Sequence, residues 1–197
     1  EQSELLALAE AIRQKGGLLV VDEAFIETGY AESIADATTS DGLVVLRSFG
    51  KFYGMAGIRL GFAIGHPDIA ESLESMLGPW AVSGPALHIA TEALVDQVWR
   101  DGMRLRLRAG SKRLNDLLGA ADLLIVGGTS LFTLIRDDRA PAIFTHLMGN
   151  GILTRSFDER PADLRFGLPG EEPEWSRLEA VLMDFRPATR TARHPRA

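Results

Sequence analysis

SFGKFYGMAGIRLGFAIG, residues 48–65, sets two cations, Lys51 and Arg59, in a run that is otherwise almost wholly glycine, apolar or aromatic. A lone loop lysine is ordinarily a solvated surface charge. The alternative is that both cations face something anionic or electrophilic, with the glycines letting backbone come close. The flanking sequence weighs on the second side.

LVVL, residues 43–46, leads straight into this run, and LLVV, residues 18–21, ends abruptly in Asp22-Glu23. Continuous apolar runs of this length are those of parallel strands covered on both faces. RLGFAIG, residues 59–65, reads as a third strand, and the HPDI after it starts a helix-like stretch through Leu77. Upstream, Leu5, Leu8, Ala9 and Ile12 recur at helical spacing over residues 3–15, with Ser3 as a cap and Gly16-Gly17 as the stop. Three strands with one helix between them do not complete a doubly wound sheet, so the chain is expected to open in the middle of a domain.

Gly78-Pro79 and Gly84-Pro85 mark a transition, after which residues 86–118 read as helical almost throughout. Residues 1–77 are therefore expected to end one α/β domain, and residues 78–186 to form a long helix and a smaller α+β domain. Along the helix Met103, Leu107, Leu114 and Leu118 form an apolar face, while Arg100, Arg104, Arg108 and Lys112 form a solvated one. LLIV and SLFTLI read as strands, APAIFTHLMGNG as a helix, ILTRSF and DLRFGL as short strands, and EPEWSRLEAVLMDF as a closing helix. The tail, residues 187–197, is rich in arginine and proline and is expected to be disordered.

Composition excludes several classes. The 197 residues are 46% hydrophobic, enough for a real core, and carry a net charge of -6, which argues against a surface built for nucleic acid. No run approaches the roughly 18 apolar residues of a membrane span. The chain has no cysteine, so disulfides and thiolate metal sites are excluded, consistent with a cytoplasmic location. Histidines 66, 88, 146 and 194 lack ligand spacing, and no metal is expected. Glycines 54, 57 and 61 do not make a dinucleotide fingerprint, and Gly50-Lys51 lacks the phosphate-loop spacing.

In open α/β sheets ligands bind beyond the carboxyl ends of the strands. Asp22 and the Ser48–Lys51 turn both fall there. A lysine becomes a nucleophile when apolar or cationic surroundings lower its pKa, and Phe49, Phe52, Tyr53 and Arg59 offer both. A hydroxyl such as Ser48 with a guanidinium such as Arg59 suits a phosphate. Tyr53 and Trp80 are expected in core or interface packing, Tyr30 in an ordinary loop, and Glu23 as a strand-end or helix-cap residue.

The motifs DEAF at 22–25, SFGK at 48–51 and GIRLGF at 57–62 resemble the signature of fold-type I pyridoxal-phosphate enzymes, the class I/II aminotransferase family. The resemblance extends to about residue 186 but aligns with only the second half of such an enzyme. Within the family, SFGKFYGMAGIRLGF and GPWAVSGPAL resemble the branch that decarboxylates threonine phosphate for cobalamin synthesis more than the branch that transaminates histidinol phosphate. The resemblance implies that Lys51 bonds the aldehyde of pyridoxal 5'-phosphate, Asp22 pairs with its pyridine nitrogen, and Ser48 and Arg59 hold its phosphate. Phe25 stands where many members have a tyrosine that bonds the ring oxygen, and it has no hydroxyl. Arg165 in DLRFGL matches the arginine that clamps the substrate carboxylate, and Arg155 in GILTR a position that contacts substrate anions, together suiting a small phosphorylated amino acid.

Such enzymes act as homodimers, and these residues alone are expected to bind cofactor poorly and turn over nothing measurable. Three other readings stay open: an aminotransferase for a phosphorylated substrate, the ligand-sensing domain of a transcription regulator, with a helix-turn-helix upstream, and a structural piece with no activity of its own.

Overall fold

The computed structural model describes residues 2–29, 31–39 and 42–185. Tyr30 and the tail 187–197 lie outside the described residues. Contacts divide the chain into two units, Glu1–Arg106 and Leu107–Ala197.

In the first unit, helix α1 (Gln2–Arg13) precedes strands β1 (Leu19–Asp22), β2 (Leu43–Ser48) and β3 (Gly61–Gly65), which form one sheet in that order. The strands β1 and β2 are parallel, with Asp22 beside Leu46, while β3 runs antiparallel to β2 and sets Gly61 beside Ser48. Ser3 falls inside the first turn of α1 rather than at its cap. Its C-terminal stop is as expected: Gly16 adopts φ +71°, and Gly17 N–H bonds the Ile12 carbonyl. Ala9 of α1 packs on Leu43, Val45 and Ile34. The apolar run of β1 predicts cover on both faces, yet Val20 remains 52% exposed, because among the described residues only the side facing α1 is packed. Helices α2 (Pro67–Leu77) and α3 (Gly84–Val95) follow.

The helical stretch expected over 86–118 is two helices. α3 ends at Val95, and α4 runs from Gln97 to Ala120. Asp96 stands between them with ψ 77° and its Oδ1 accepts the Trp99 N–H at 2.9 Å, an N-cap that interrupts the path.

In the second unit β4 (Leu124–Thr129), β5 (Phe132–Arg136), β6 (Arg155–Ser156) and β7 (Asp163–Gly167) form an antiparallel sheet in the order β4-β5-β7-β6. The strand expected across ILTRSF is reduced to the two residues of β6. Gly128 is required beside the β4–β5 turn: its φ is +159°, and a Cβ there would meet the Phe132 carbonyl oxygen at 2.5 Å. The end of α4 with α5 (Ala140–Gly149) and α6 (Glu172–Asp184) buries Leu114, Leu118, Ile143, Leu147, Leu178 and Leu182 against Ile135, Leu164 and Phe166 of the sheet. No helix of the described residues is long and apolar enough to cross a membrane.

Asp163, 1% exposed, accepts bonds from Arg136 at 2.7 and 3.1 Å. The guanidinium beside it holds its carboxyl below the usual range. A lowered folded pKa means that the pair's contribution is full above the unfolded value of about 3.9 and is lost as pH falls through the lower folded value. Asp163→Asn is expected to lower the denaturation midpoint at pH 7 and to flatten its decline below about pH 4, read from urea curves across that range.

Candidate active site

The ends of β1 and β2 carry two sets of charged groups, one on each face. Asp22 lies beside Leu46 in the parallel ladder, and Ser48 follows Leu46 by two residues, so carboxylate and hydroxyl leave the same face. Glu23 and Arg47, one residue along from Asp22 and Leu46, leave the other face and meet there at 2.9 Å.

On the first face, Asp22 is exposed, and its Oδ1 accepts the Ala24 N–H at 2.9 Å. The Ser48 Oγ accepts the Gly50 N–H at 3.1 Å, which bends the chain toward Lys51. Lys51 is exposed, and its Nζ stands 5.4 Å from the centre of the Phe25 ring. No carboxylate of the described residues pairs with it. Phe25 and Lys51, 26 positions apart in sequence, are thus brought together, and a ring face attracts an ammonium.

Arg59 returns the chain toward Ser48. The Phe49 N–H bonds the Leu60 carbonyl, and Gly61 lies beside Ser48, where a Cβ would come within 2.9 Å of the Arg47 carbonyl oxygen. Arg59 takes the left-handed conformation, φ 55°, after the turn Ala56–Ile58, a strained state for a side chain with a Cβ. Its Nη1 donates to the Ala56 carbonyl at 3.2 Å, and no carboxylate of the described residues pairs with it. A hydroxyl and a guanidinium with donors to spare are groups that suit an anion.

Arg155 and Arg165 lie in the second unit. They face each other directly across β6 and β7, a like-charge pair that is unfavourable by itself. Arg165 lies over the Phe132 ring at 4.8 Å and Arg155 over Phe157 at 5.8 Å, and neither has a carboxylate partner among the described residues. An anion between them would relieve the repulsion.

On the other face the charge pattern differs from the sequence reading. Glu23 is 7% exposed and accepts bonds from Ser33 Oγ at 2.7 Å and Ile34 N–H at 2.8 Å. It is a buried anchor for the loop after β1. Arg100 and Arg104 are not a solvated stripe, because both reach Glu27, at 3.0 and 2.8 Å, and their side chains are only 22% and 25% exposed. Lys112, further along α4, pairs with Asp116 at the surface. The sequence signal for this cluster was the excess of acidic residues at 23–27, but pairing across 77 positions left no local pattern.

Tyr53 is in core packing, stacked on Phe49 at 4.3 Å, and burial is the main cause that pushes its phenol up. Trp80 is 95% exposed with φ 64°, so it packs in no core of the described residues. A cavity of about 300 Å³ opens beside Ser48 between Phe49, Tyr53, Phe62 and Leu94, and Asp22, Lys51 and Arg59 do not line it.

Residues 1–177 match the family model described as aminotransferase class I and II. A threonine-phosphate decarboxylase of Pseudomonas aeruginosa is 46% identical over 186 residues, covering 94% of this chain and 56% of that protein. Histidinol-phosphate aminotransferase 1 of Nitrosococcus oceani is 30% identical, covering 86% of this chain and 48% of that protein. The chain spans about half the length of the curated relatives it matches. The solved histidinol-phosphate aminotransferase of Sinorhizobium meliloti, in complex with pyridoxal-5'-phosphate, superposes with TM-score 0.76 at 24% identity, covering 84% of this chain and 49% of that one.

Proposed function

Because the chain belongs to the aminotransferase class I and II family, we propose that it carries the cofactor-bonding part of a pyridoxal-phosphate enzyme that decarboxylates L-threonine O-3-phosphate to aminopropanol phosphate. The observation that supports the cofactor assignment is that Asp22 and Ser48 leave one face, with Lys51, which no carboxylate pairs with among the described residues, three positions beyond Ser48 and against the Phe25 ring. The donor set fits the group. Asp22 offers a negative charge for a cationic ring nitrogen, Ser48 and Arg59 offer donors for a phosphate, and Lys51 offers an amine for an aldehyde. Phe25 offers a ring in place of a hydroxyl.

Bound pyridoxal phosphate supplies an electron sink for the charge left when a bond at the substrate's α-carbon breaks. Asp22 would oppose the positive charge of the ring nitrogen and so keep a proton there. Ser48 and Arg59 would hold the phosphate. Lys51 would be the amine that bonds the aldehyde and the base placed to hold and return a proton. Arg165 takes the substrate carboxylate and Arg155 a second anionic group, and which bond at the α-carbon is weakened follows from how these arginines orient the substrate. Arg165→Gln should raise the KM for the phosphorylated amino acid by about 10- to 100-fold, the worth of one charge-assisted bond, with a smaller change in kcat.

Residues 1–77 are proposed to end the large cofactor domain, and 78–186 to form the linking helix and small domain. A place in cobalamin synthesis, a cytoplasmic location and a homodimer belong to the same reading. The substrate assignment is supported by 46% identity to a threonine-phosphate decarboxylase against 30% to a histidinol-phosphate aminotransferase. That second likeness supports transamination as the competing reading. Incubating the intact protein with threonine O-3-phosphate separates them: carbon dioxide released without a keto acid supports decarboxylation, and strict dependence on an acceptor defeats it.

A further inference from the structure

The turn after β1 carries a carboxylate that the proposed chemistry does not use. Glu27 sits in the short turn Ile26–Thr28, which begins at Phe25. Its Oε1 accepts a bond from Arg47 Nη1 at 3.0 Å, and its Oε2 accepts bonds from Arg100 Nη2 at 3.0 Å and Arg104 Nη2 at 2.8 Å. Its carbonyl accepts a further bond from Arg104 Nε at 3.2 Å. Three guanidiniums, from β2 and the first turns of α4, thus converge on one residue whose side chain is 18% exposed.

Partly buried cations repel one another unless a carboxylate stands between them. Glu23 pairs with Arg47, and Asp101 pairs with Arg104 and acts on Arg100 by charge, while Glu27 is the carboxylate among the described residues that bonds Arg100 directly. A residue tied at four points leaves its turn one position. The rest of the turn is tied to Phe25, whose carbonyl accepts the Thr28 N–H at 3.0 Å and the Thr28 hydroxyl at 2.7 Å. The Phe25 ring in turn stands 5.4 Å from Lys51 Nζ.

We propose that Glu27 is a positioning residue: locked by Arg47, Arg100 and Arg104, it sets where the Phe25 ring stands and, through that ring, how readily the Lys51 amine reacts. Its bearing on turnover rests on the function proposed above, whereas the positioning does not. Without the carboxylate the guanidiniums separate, the turn shifts and the ammonium loses the attraction of the ring face. The amine, no longer held against the ring, then meets electrophiles faster.

The test is competitive labelling of the intact protein, without cofactor, by acetic anhydride at one pH, with the Lys51 peptide read against the Lys112 peptide by mass spectrometry. Glu27→Gln is expected to raise relative labelling of Lys51 about threefold, the factor that one lost ring–cation attraction supplies. Phe25→Leu raises it by itself, and adding Glu27→Gln to that variant changes nothing more. An equal rise in both backgrounds would mean that the charge acts on Lys51 directly, and no rise in either would mean that the turn is indifferent to Glu27; each result overturns the proposal. Should Glu27→Gln fail to fold, Arg100→Gln takes its place in the same comparison. A wild-type protein that does not take up pyridoxal phosphate would defeat the functional reading and leave this test standing.

Discussion

Replacing Lys51 by alanine in the intact protein is expected to lower turnover of threonine phosphate by at least about a thousandfold, since a covalent catalyst stripped of its nucleophile keeps only binding and orientation. The same change removes the visible absorption that accompanies a covalently held cofactor, while the melting temperature moves little. Lys51 is exposed and its recorded contact is the Phe25 ring, so its loss unpairs no buried group. Activity within tenfold of wild type would remove Lys51 from the chemistry altogether.

Asp22→Asn is the second large effect. Asparagine keeps the shape and the oxygen that accepts the Ala24 N–H at 2.9 Å, so the strand end stays as it is. What goes is the negative charge proposed to oppose the ring nitrogen. Losing a hydrogen bond between charged groups costs about 1.5–3 kcal/mol, which corresponds to a fall in kcat of roughly ten- to a hundredfold. Steady-state rates with saturating cofactor measure it. If Asn at this position turned over as fast as Asp, the carboxylate would be no more than a turn-former.

The parts of the fold that were legible in the sequence are those set by local pattern. The runs at 18–21 and 43–46 read as strands because continuous apolar residues bounded by turns have few other uses, and both lie in β1 and β2. The stop of α1 was legible because Gly16 must take a left-handed backbone. The break at Asp96 was carried by a capping residue but masked by helical propensity on both sides. Two-sided cover of β1 could not be judged locally, because whether Val20 is packed depends on chain that lies elsewhere.

The candidate site divides in the same way. Asp22, Ser48, Lys51 and Arg59 stand out as candidates in the sequence because they cluster at strand ends within short motifs. The meeting of Phe25 with Lys51 and the facing of Arg155 by Arg165 depend on register, which spacing alone does not show. The Glu27 cluster was missed for a further reason. Arg100 and Arg104 recur at helical spacing, as solvated arginines also do, and only the folded chain brings a carboxylate to them.

Borohydride reduction of the intact protein loaded with pyridoxal phosphate, followed by peptide mass spectrometry, bears most directly on the claim that the amine at residue 51 holds the cofactor. The account predicts a pyridoxyl group on the peptide containing Lys51 and a loss of that label in Lys51→Ala. A label on Lys15, Lys112 or any other lysine, or no label at all under saturating cofactor, would contradict it.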